Sequence, residues 1–546
     1  MSFLQSPPQL PNPFGQDRLL HAFLHRVLDA DRLPALEEDL KALGDYAVMA
    51  FDRRHNAPRD EPVLTQWGSW GRRLDRIDLT TAWHEGPAMT ARHGLVAAGY
   101  EAHPTARLEQ FARVYVYHMA SEFYTCPLAM TDGAAAAIRA SGNRELIDSV
   151  LPHFLSREPG SLWLSGQWMT ETIGGSDVGN TETLARRDDD GQWRLYGRKW
   201  FTSAIVGECA LALARPDGGD DLALFYVRTR DDNGAWDGVT IDRIKDKLGT
   251  RELPTAEIHL DGARAWPLGE LAHGVRQIAP MLGITRTWNA VCAVAHMARC
   301  MALARDYAQS RQAFGKFLIE QPSHARTLAD MQAEFEAAFA LTFELTHLLG
   351  RVENNAAAAH EAALLRLLTP LAKLWTGKLA VSIASETLEC FGGNGYIEDT
   401  GLPQLLRDAQ VYPIWEGTTN VLSLDVLRAL GKSGLAPLRR HVGVLLDGAD
   451  EKLAAAINQA LAHCEAELEK SASDPDRLQG QARGLAISLA RIMAAALLAR
   501  QCRWDGTQDH GNARSAAALR LFVAHGLEHL DNAALADVDV LSRHCN

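Results

Sequence analysis

A mainly helical chain with one small antiparallel β domain at its middle is the fold class the sequence predicts, and three observations predict it. Apolar residues recur at helical spacing before residue 160 and again in long runs at 275–312, 324–350, 356–391 and 418–431. Between Leu162 and Gly269 the texture changes to short alternating segments, TETLARR, WRLYGRKWF, ALALAR, LALFYVR and AEIHL, punctuated by Gly, Asp and Pro. Beyond Gly434 the chain turns Ala/Leu-rich and helical again, with breaks at SASDPDR and DGTQDHGN. These textures divide it into a helical N-terminal domain with an extension over 1–160, a β domain over 161–273, a helical bundle over 274–434 and an additional helical tail over 435–546.

Within the first domain a Pro-rich opening reads as extended. Leu19, Phe23, Leu24, Val27 and Leu28 then place a helix over 17–29, and a second follows over 34–54. Between Trp67 and Trp83 the pattern loses regularity, and GRRLDR reads as a solvated turn. Helical patterning resumes most clearly over 109–122 and 134–140.

At 546 residues the chain exceeds what a single core supports, and its 47% hydrophobic and 23% charged residues are those of a globular protein. The net charge of −13 gives no general attraction to nucleic acid or anionic lipid. Residues 435–546 carry 12 Lys and Arg against 14 Asp and Glu, so the tail is not basic either. Eight cysteines are scattered without a C-x-x-C pair, as reduced thiols are. The opening residues lack the basic and apolar regions of a secretory signal, and no uninterrupted apolar run reaches the roughly 18 residues of a membrane span. A cytoplasmic protein with no membrane segment is the expectation.

Four stretches carry chemistry. WMTETIGGSDVG (168–179) combines hydroxyls, backbone N–H groups freed by glycines and an acidic pair, the make-up of a loop that wraps a flavin or phosphate, or of a plain turn. In RKWFTSAIVGECALALA, Trp200 and Phe201 precede Thr202 and Ser203 and could flank a planar ring or fill a core. In RQAFGKFLIEQP a long helix stops at Phe314-Gly315, leaving Arg311 near a helix C-terminus, where the dipole favours a cation. Upstream, Arg286 in GITRTWN reads on its own as a surface ion pair. The fourth stretch, residues 390–420, sets one acid, Glu416, among Ile414, Trp415 and Gly417. Such a carboxylate suits proton abstraction or is simply a solvated loop position. No H-E-x-x-H is present, and the 20 histidines do not cluster with the cysteines at ligand spacing, so no metal is expected. Without G-x-S-x-G, a Walker loop or a strand-linked G-x-G-x-x-G, the hydrolase, triphosphatase and nicotinamide classes lose weight.

Taken in order, MTETIGGSDV, KWFTS, TRTWN, RQAFGKFLIEQP, ECFGGNGY, LLRDA and IWEGTTNVLSLDVLRAL closely resemble the acyl-CoA dehydrogenase superfamily over about 110–431. The long N-terminal segment, GLPQLLRDA, the IWEG block followed by LDVLRAL, and the extra tail look most like its alkylation-response, AidB-like branch. The resemblance implies a helical N domain, a β middle domain and a four-helix C domain, assembled as a homotetramer around FAD. It implies flavin contacts from Met169, Thr170, Gly175 and Ser176, and an isoalloxazine lined by Trp200, Phe201, Thr202 and Ser203. Arg311, Phe314, Gly392 and Gly393 match positions that hold the FAD diphosphate and adenosine, and Thr418 and Asn420 match further cofactor contacts. Glu416 matches the catalytic base, and Arg286 is carried beside it as a second catalytic candidate.

The implied reaction is α,β-dehydrogenation of an acyl-CoA thioester, with Glu416 taking the α-proton and a hydride passing to flavin N5, then to an electron-transferring flavoprotein. A dry apolar pocket strengthens a carboxylate base by disfavouring its anion, and Ile414 and Trp415 are expected to supply one. Two positions depart from or qualify the family pattern. Glu389 stands where the family often has Gln, near the diphosphate. Thr285 stands where some members carry the base on the earlier helix. In the related nitroalkane oxidases the acid is Asp, so Glu416 favours the dehydrogenase. The alternative is a DNA-binding flavoprotein of the alkylation response, which the charge of the tail weakens.

Overall fold

The computed structural model describes residues 5–57, 60–508, 513–530 and 535–543. In chain order its elements are α1 (Arg18–Val27), α2 (Leu33–His55), β1 (Val63–Trp67), β2 (Arg73–Asp78), α3 (Thr81–His93), α4 (Ala106–His118), α5 (Thr125–Ser141), α6 (Arg144–Ser149) and α7 (Leu151–Phe154). Then come β3 (Ser165–Trp168), β4 (Leu184–Arg187), β5 (Trp193–Ser203), β6 (Cys209–Pro216), β7 (Ala223–Arg228), β8 (Val239–Ile244) and β9 (Thr255–Pro267). They are followed by α8 (Gly274–Gln277), α9 (Ala279–Ser310), β10 (Gln312–Ala313), β11 (Lys316–Phe317), α10 (Pro322–Glu353), α11 (Ala359–Cys390), α12 (Pro403–Ala409) and α13 (Thr419–Ser433). The tail adds α14 (Ala436–Leu446), α15 (Glu451–Ser471), α16 (Pro475–Gly506), α17 (Ala513–Ala524) and α18 (Leu535–Ser542). Two compact units result, one of residues 39–102 and 106–292, the other of 1–38, 103–105 and 293–546.

In the first unit the pairings β6–β4–β5–β9–β7–β6 form a closed circuit, with β3 alongside β6 and β8 alongside β9. β6 shows how the sequence specifies it. Ala210, Ala212 and Ala214 enter the core that contains Trp168, Trp193 and Phe225, whereas Cys209, Leu211 and Leu213 enter the one containing Ala134, Ile138 and Met281 of the helices. The period of two along a strand thus places small residues on one face and large ones on the other. The expected antiparallel domain is in fact mixed, because β6 pairs in parallel with both β3 and β4. Strand direction depends on a distant partner, which local alternation does not encode. GRRLDR is corrected too: β1 and β2 form a hairpin with Val63 opposite Asp78, so LDR is strand and only residues 68–72 turn.

The helices of this unit are tied by buried Asp132 of α5, which accepts from Arg107 at 2.9 Å, Gln110 at 2.8 Å and Trp288 Nε1 at 2.7 Å. Every partner of that carboxylate named here is itself buried.

In the second unit α10 and α16 are joined by charge as well as by apolar packing. Arg491 reaches Glu334 at 2.7 Å, and Arg500 reaches Glu344 at 2.5 Å. Burial pushes the Glu344 carboxyl up, but Arg500 and His441 outweigh it and hold the group well below the usual carboxylate range. By length and composition α16 could cross a membrane, with mean hydropathy 1.6, but 83% of that window is buried inside the protein, the setting of a core helix. The long helix of the RQAFGKF stretch ends at Ser310, short of Phe314-Gly315. Those two residues instead turn the β10–β11 hairpin, both with positive φ (51° and 80°), the requirement of a tight two-residue hairpin turn.

Candidate functional site

The residues singled out in the sequence fall on both units, and each set is built differently. In the β unit the central device is a buried ion pair. Lys199 of β5 is fully buried and donates to Glu171 Oε1 at 2.6 Å and to the Leu213 carbonyl at 2.9 Å. Glu171 also accepts from the Glu182 amide at 2.7 Å and from Thr183. Burial pushes the Lys199 ammonium down and the Glu171 carboxyl up, yet Lys199 and these hydrogen bonds hold Glu171 below its ordinary range. One acid of the loop's acidic pair is therefore an inward anchor, fixing residues 169–183 to β5. The Trp200 amide adds a bond to the Thr170 carbonyl at 3.0 Å.

Burying Lys199 turns Trp200 to the opposite face of the strand. A bulge follows, since Lys199 faces Ile258 but Thr202 already faces Ala256. The extra residue leaves Phe201 50% exposed. Lys245 Nζ lies 3.5 Å from the Trp200 ring centroid and 4.5 Å from that of Phe201. The carboxylate of buried Glu257 holds Lys245 at 2.8 Å, Arg243 at 2.7 Å and Arg198 at 3.1 Å, and Asp242 also pairs with Arg198 at 3.2 Å, so three cations face two anions beside the two rings. The result is an aromatic edge with surplus positive charge.

Other members of this set have mixed fates. Met169 is buried in the core with Leu211 and Met281, and Thr202 gives its hydroxyl to the Ala256 carbonyl at 2.8 Å, so neither side chain is presented outward. Ser203 shares a hydrogen bond with Thr255 at 2.9 Å. Among the described residues the Thr170 and Ser176 hydroxyls make no hydrogen bond, and a Cβ at Gly175 would meet the Thr170 side chain at 2.9 Å. That is a tight loop with hydroxyls to offer. Arg286 is half-buried on α9 beside Thr285, whose hydroxyl bonds the Met281 carbonyl at 3.1 Å and which packs against Gly133. Thr285 is a packing residue.

In the helical unit Glu416 ends a run of turns between α12 and α13, with φ 58°, a left-handed conformation unusual for a residue with a side chain. α11 imposes it at two points. At Gly377 a Cβ would lie 2.9 Å from the Tyr412 carbonyl, so glycine lets the segment lie against the helix. One turn earlier Lys373, fully buried, donates to the Gly417 carbonyl at 2.6 Å. Buried Tyr412 also meets His296 edge-on, with ring centroids 5.6 Å apart, and His296 Nε2 donates to the Leu405 carbonyl at 2.8 Å. Burial pushes His296 down to about 3, so the ring is neutral and Nε2 carries its proton. Glu416 itself is half-buried. The expected apolar wall is corrected at Ile414, which is 60% exposed because the turn that buries Tyr412 points Ile414 outward; Trp415 is half-buried.

The same unit gathers the residues expected at a diphosphate. The Arg311 amide bonds the Tyr307 carbonyl at 2.8 Å, and the Tyr307 ring packs on Phe391 with centroids 4.7 Å apart, immediately before Gly392 and Gly393. Both glycines are exposed, and so is Glu389. Phe314 is 100% exposed at its hairpin tip. Thr418 is the residue before α13, its hydroxyl making no capping bond, and Asn420 is exposed on the first turn. Sequence reading missed Lys199, Lys245 and Lys373. For Lys373 a signal existed, a single lysine inside the apolar run LTPLAKLWTG.

Residues 5–158 match the adaptive response protein AidB N-terminal domain, 166–263 the acyl-CoA dehydrogenase middle domain, 272–431 the acyl-CoA dehydrogenase C-terminal domain, and 438–545 the acyl-CoA dehydrogenase 11 C-terminal domain-like family. Acyl-CoA dehydrogenase family member 11 of Caenorhabditis elegans is 40% identical over 524 residues, 91% of this chain and 85% of that protein. AidB of Escherichia coli (strain K12) is 34% identical over 460 residues, 82% of each. The crystal structure of Caenorhabditis elegans ACDH-11 in complex with C11-CoA has a TM-score of 0.93 at 36% identity, covering 100% of this chain and 97% of that one.

Proposed function

The chain belongs to the acyl-CoA dehydrogenase family and its AidB-like branch, and from that premise we propose that it binds FAD and dehydrogenates an acyl-CoA at the α,β bond with Glu416 as base. The observation that carries this reading is the clamping of Glu416 in a left-handed conformation by Lys373 and Gly377. Strain of this kind persists where the surroundings over-determine it, and it is concentrated at working sites.

Each unit by itself offers residues that suit part of the cofactor. The 169–183 loop offers the Thr170 and Ser176 hydroxyls and a close glycine turn, and Trp200 and Phe201 offer an aromatic edge. Arg311, whose guanidinium lies 3.4 Å from Gln5 Oε1, and the exposed Gly392-Gly393 turn offer a cation and open backbone within the same unit, and Thr418 and Asn420 lie at the start of α13. FAD, when bound, supplies the hydride acceptor. Lys245, Arg243 and Arg198 would offset the negative charge gained on reduction by a flavin ring held against Trp200 and Phe201. Glu416 takes the α-proton, and Lys373 fixes the backbone from which that carboxylate projects. The C11-CoA bound by the nematode relative supports a thioester of that class as the ligand. The proposal includes a homotetramer, for which exposed Phe314 and Tyr396 (86%) argue, and also a cytoplasmic location and an electron-transferring flavoprotein as acceptor. The likeness to AidB supports a DNA-binding reading in part, but the near-balanced charge of the tail favours the enzyme.

Anaerobic mixing with saturated acyl-CoAs centred on C11-CoA tests the assignment. Wild type is expected to bleach its flavin absorbance, and Glu416→Gln to do so about 10²–10⁴-fold more slowly. Equal rates would remove Glu416 from the mechanism.

A further inference from the structure

Three side chains that this chemistry does not use lie together near the N-terminus. His21 and His25 are four residues apart on α1 and so share a helix face. Glu37 of α2 reaches both: its Oε1 lies 3.5 Å from His21 Nδ1 and 2.9 Å from His25 Nε2, and one potential ligand atom from each residue lies within 4.8 Å of the others.

The other side of His21 orients its ring. Nε2 lies 3.1 Å from the Phe14 carbonyl, which can only accept, so Nε2 carries the proton of the neutral ring and Nδ1 presents a lone pair toward the Glu37 carboxylate. A cation held between Nδ1 and the carboxylate satisfies both, whether it is a proton or a metal ion, and a metal ion would also replace the proton in the 2.9 Å hydrogen bond between His25 Nε2 and Glu37. A ring N–H given to a backbone carbonyl is also the usual outer partner of a metal-bound histidine. The Phe14 ring, with its centroid 4.1 Å from that of His21, further restricts the imidazole plane. Tetrahedral zinc with bonds of about 2.0–2.1 Å holds its ligand atoms roughly 3.3 Å apart, between the two distances seen here.

We propose that His21, His25 and Glu37 bind one Zn²⁺ per chain, with water in the fourth position, and so staple α1 to α2. All three residues are partly exposed, which gives the ion access. The sequence shows only the H-x₃-H pair, because the third ligand comes from another helix.

Full-length, FAD-loaded protein freed of metal by chelation is to be dialysed against ZnSO₄ and its zinc counted by mass spectrometry, alongside thermal unfolding with and without zinc. One zinc per wild-type chain, absent from His25→Ala and weakened at least tenfold in Glu37→Gln, is the expected result. A zinc-dependent rise in Tm should appear in wild type, be smaller at equal zinc in Glu37→Gln and be absent from His25→Ala, with flavin absorbance confirming that the variants are folded. The proposal is overturned if wild type takes up no zinc at micromolar concentration, or if both variants bind as much and as tightly as wild type.

Discussion

Lys199 and Lys373 are both fully buried lysines that set the backbone next to a candidate site residue, one in each unit. Lys199 is matched by a carboxylate, Glu171, so the pair locks the register of a loop on a strand. Lys373 grips the carbonyl of Gly417, the residue after Glu416, and so supports the left-handed conformation there. The lesson is that β5 needs an anchor strong enough to hold a long loop, whereas the acid needs one aimed at a single peptide.

Breaking the first device has the larger effect. Lys199→Met leaves Glu171 buried without its cation, and chemical denaturation should show a loss of about 3–5 kcal/mol together with a lower FAD content. Adding Glu171→Leu should recover part of that loss. Breaking the second is milder: Lys373→Met should reduce stability by roughly 1.5–3 kcal/mol. It should also lower kcat with little change in KM, and an unchanged kcat would reduce Lys373 to packing.

The support beneath the acid can be read by pH. Unfolded His296 takes a proton near 6.5, but the folded ring resists one until about 3. The unfolded chain therefore binds more protons in that window. Stability is fully present above pH 6.5 and declines as pH falls toward 3, by roughly 1.4 kcal/mol per pH unit. Denaturation at pH 7.5 and pH 5 should show about 2 kcal/mol of this dependence in wild type and its loss in His296→Gln. The smallest effect has the opposite sign. Glu416→Gly removes the left-handed strain that Glu416→Gln retains, so it should be the more stable of the two variants by about 1 kcal/mol, read from their denaturation midpoints.

Much of the helical pattern was legible because periodicity is a local property. The helix expected over 17–29 is α1, which runs Arg18–Val27 with Asp17 as its cap, and α16 starts within the SASDPDR break. The parallel pairing of β6 was not legible, since it depends on strands brought alongside by long loops. Glu416 stood out through its ordered neighbours, but its conformation did not, because that depends on contacts with a helix forty residues earlier. Glu171 looked like part of a ligand loop and turned inward, because only the fold reveals that Lys199 lies opposite. Phe314-Gly315 marked a turn, but helix end and hairpin tip share the same residues in a one-dimensional reading.

The alternation of Ala and Leu in β6 also limits how this strand can change. Both faces are filled, so an insertion or deletion of one residue would move every leucine into space sized for alanine and every alanine into space sized for leucine. Length variation within β6 is thus barred by volume on two sides at once. Permitted drift should consist of size-conserving exchanges, with insertions confined to the flanking turns.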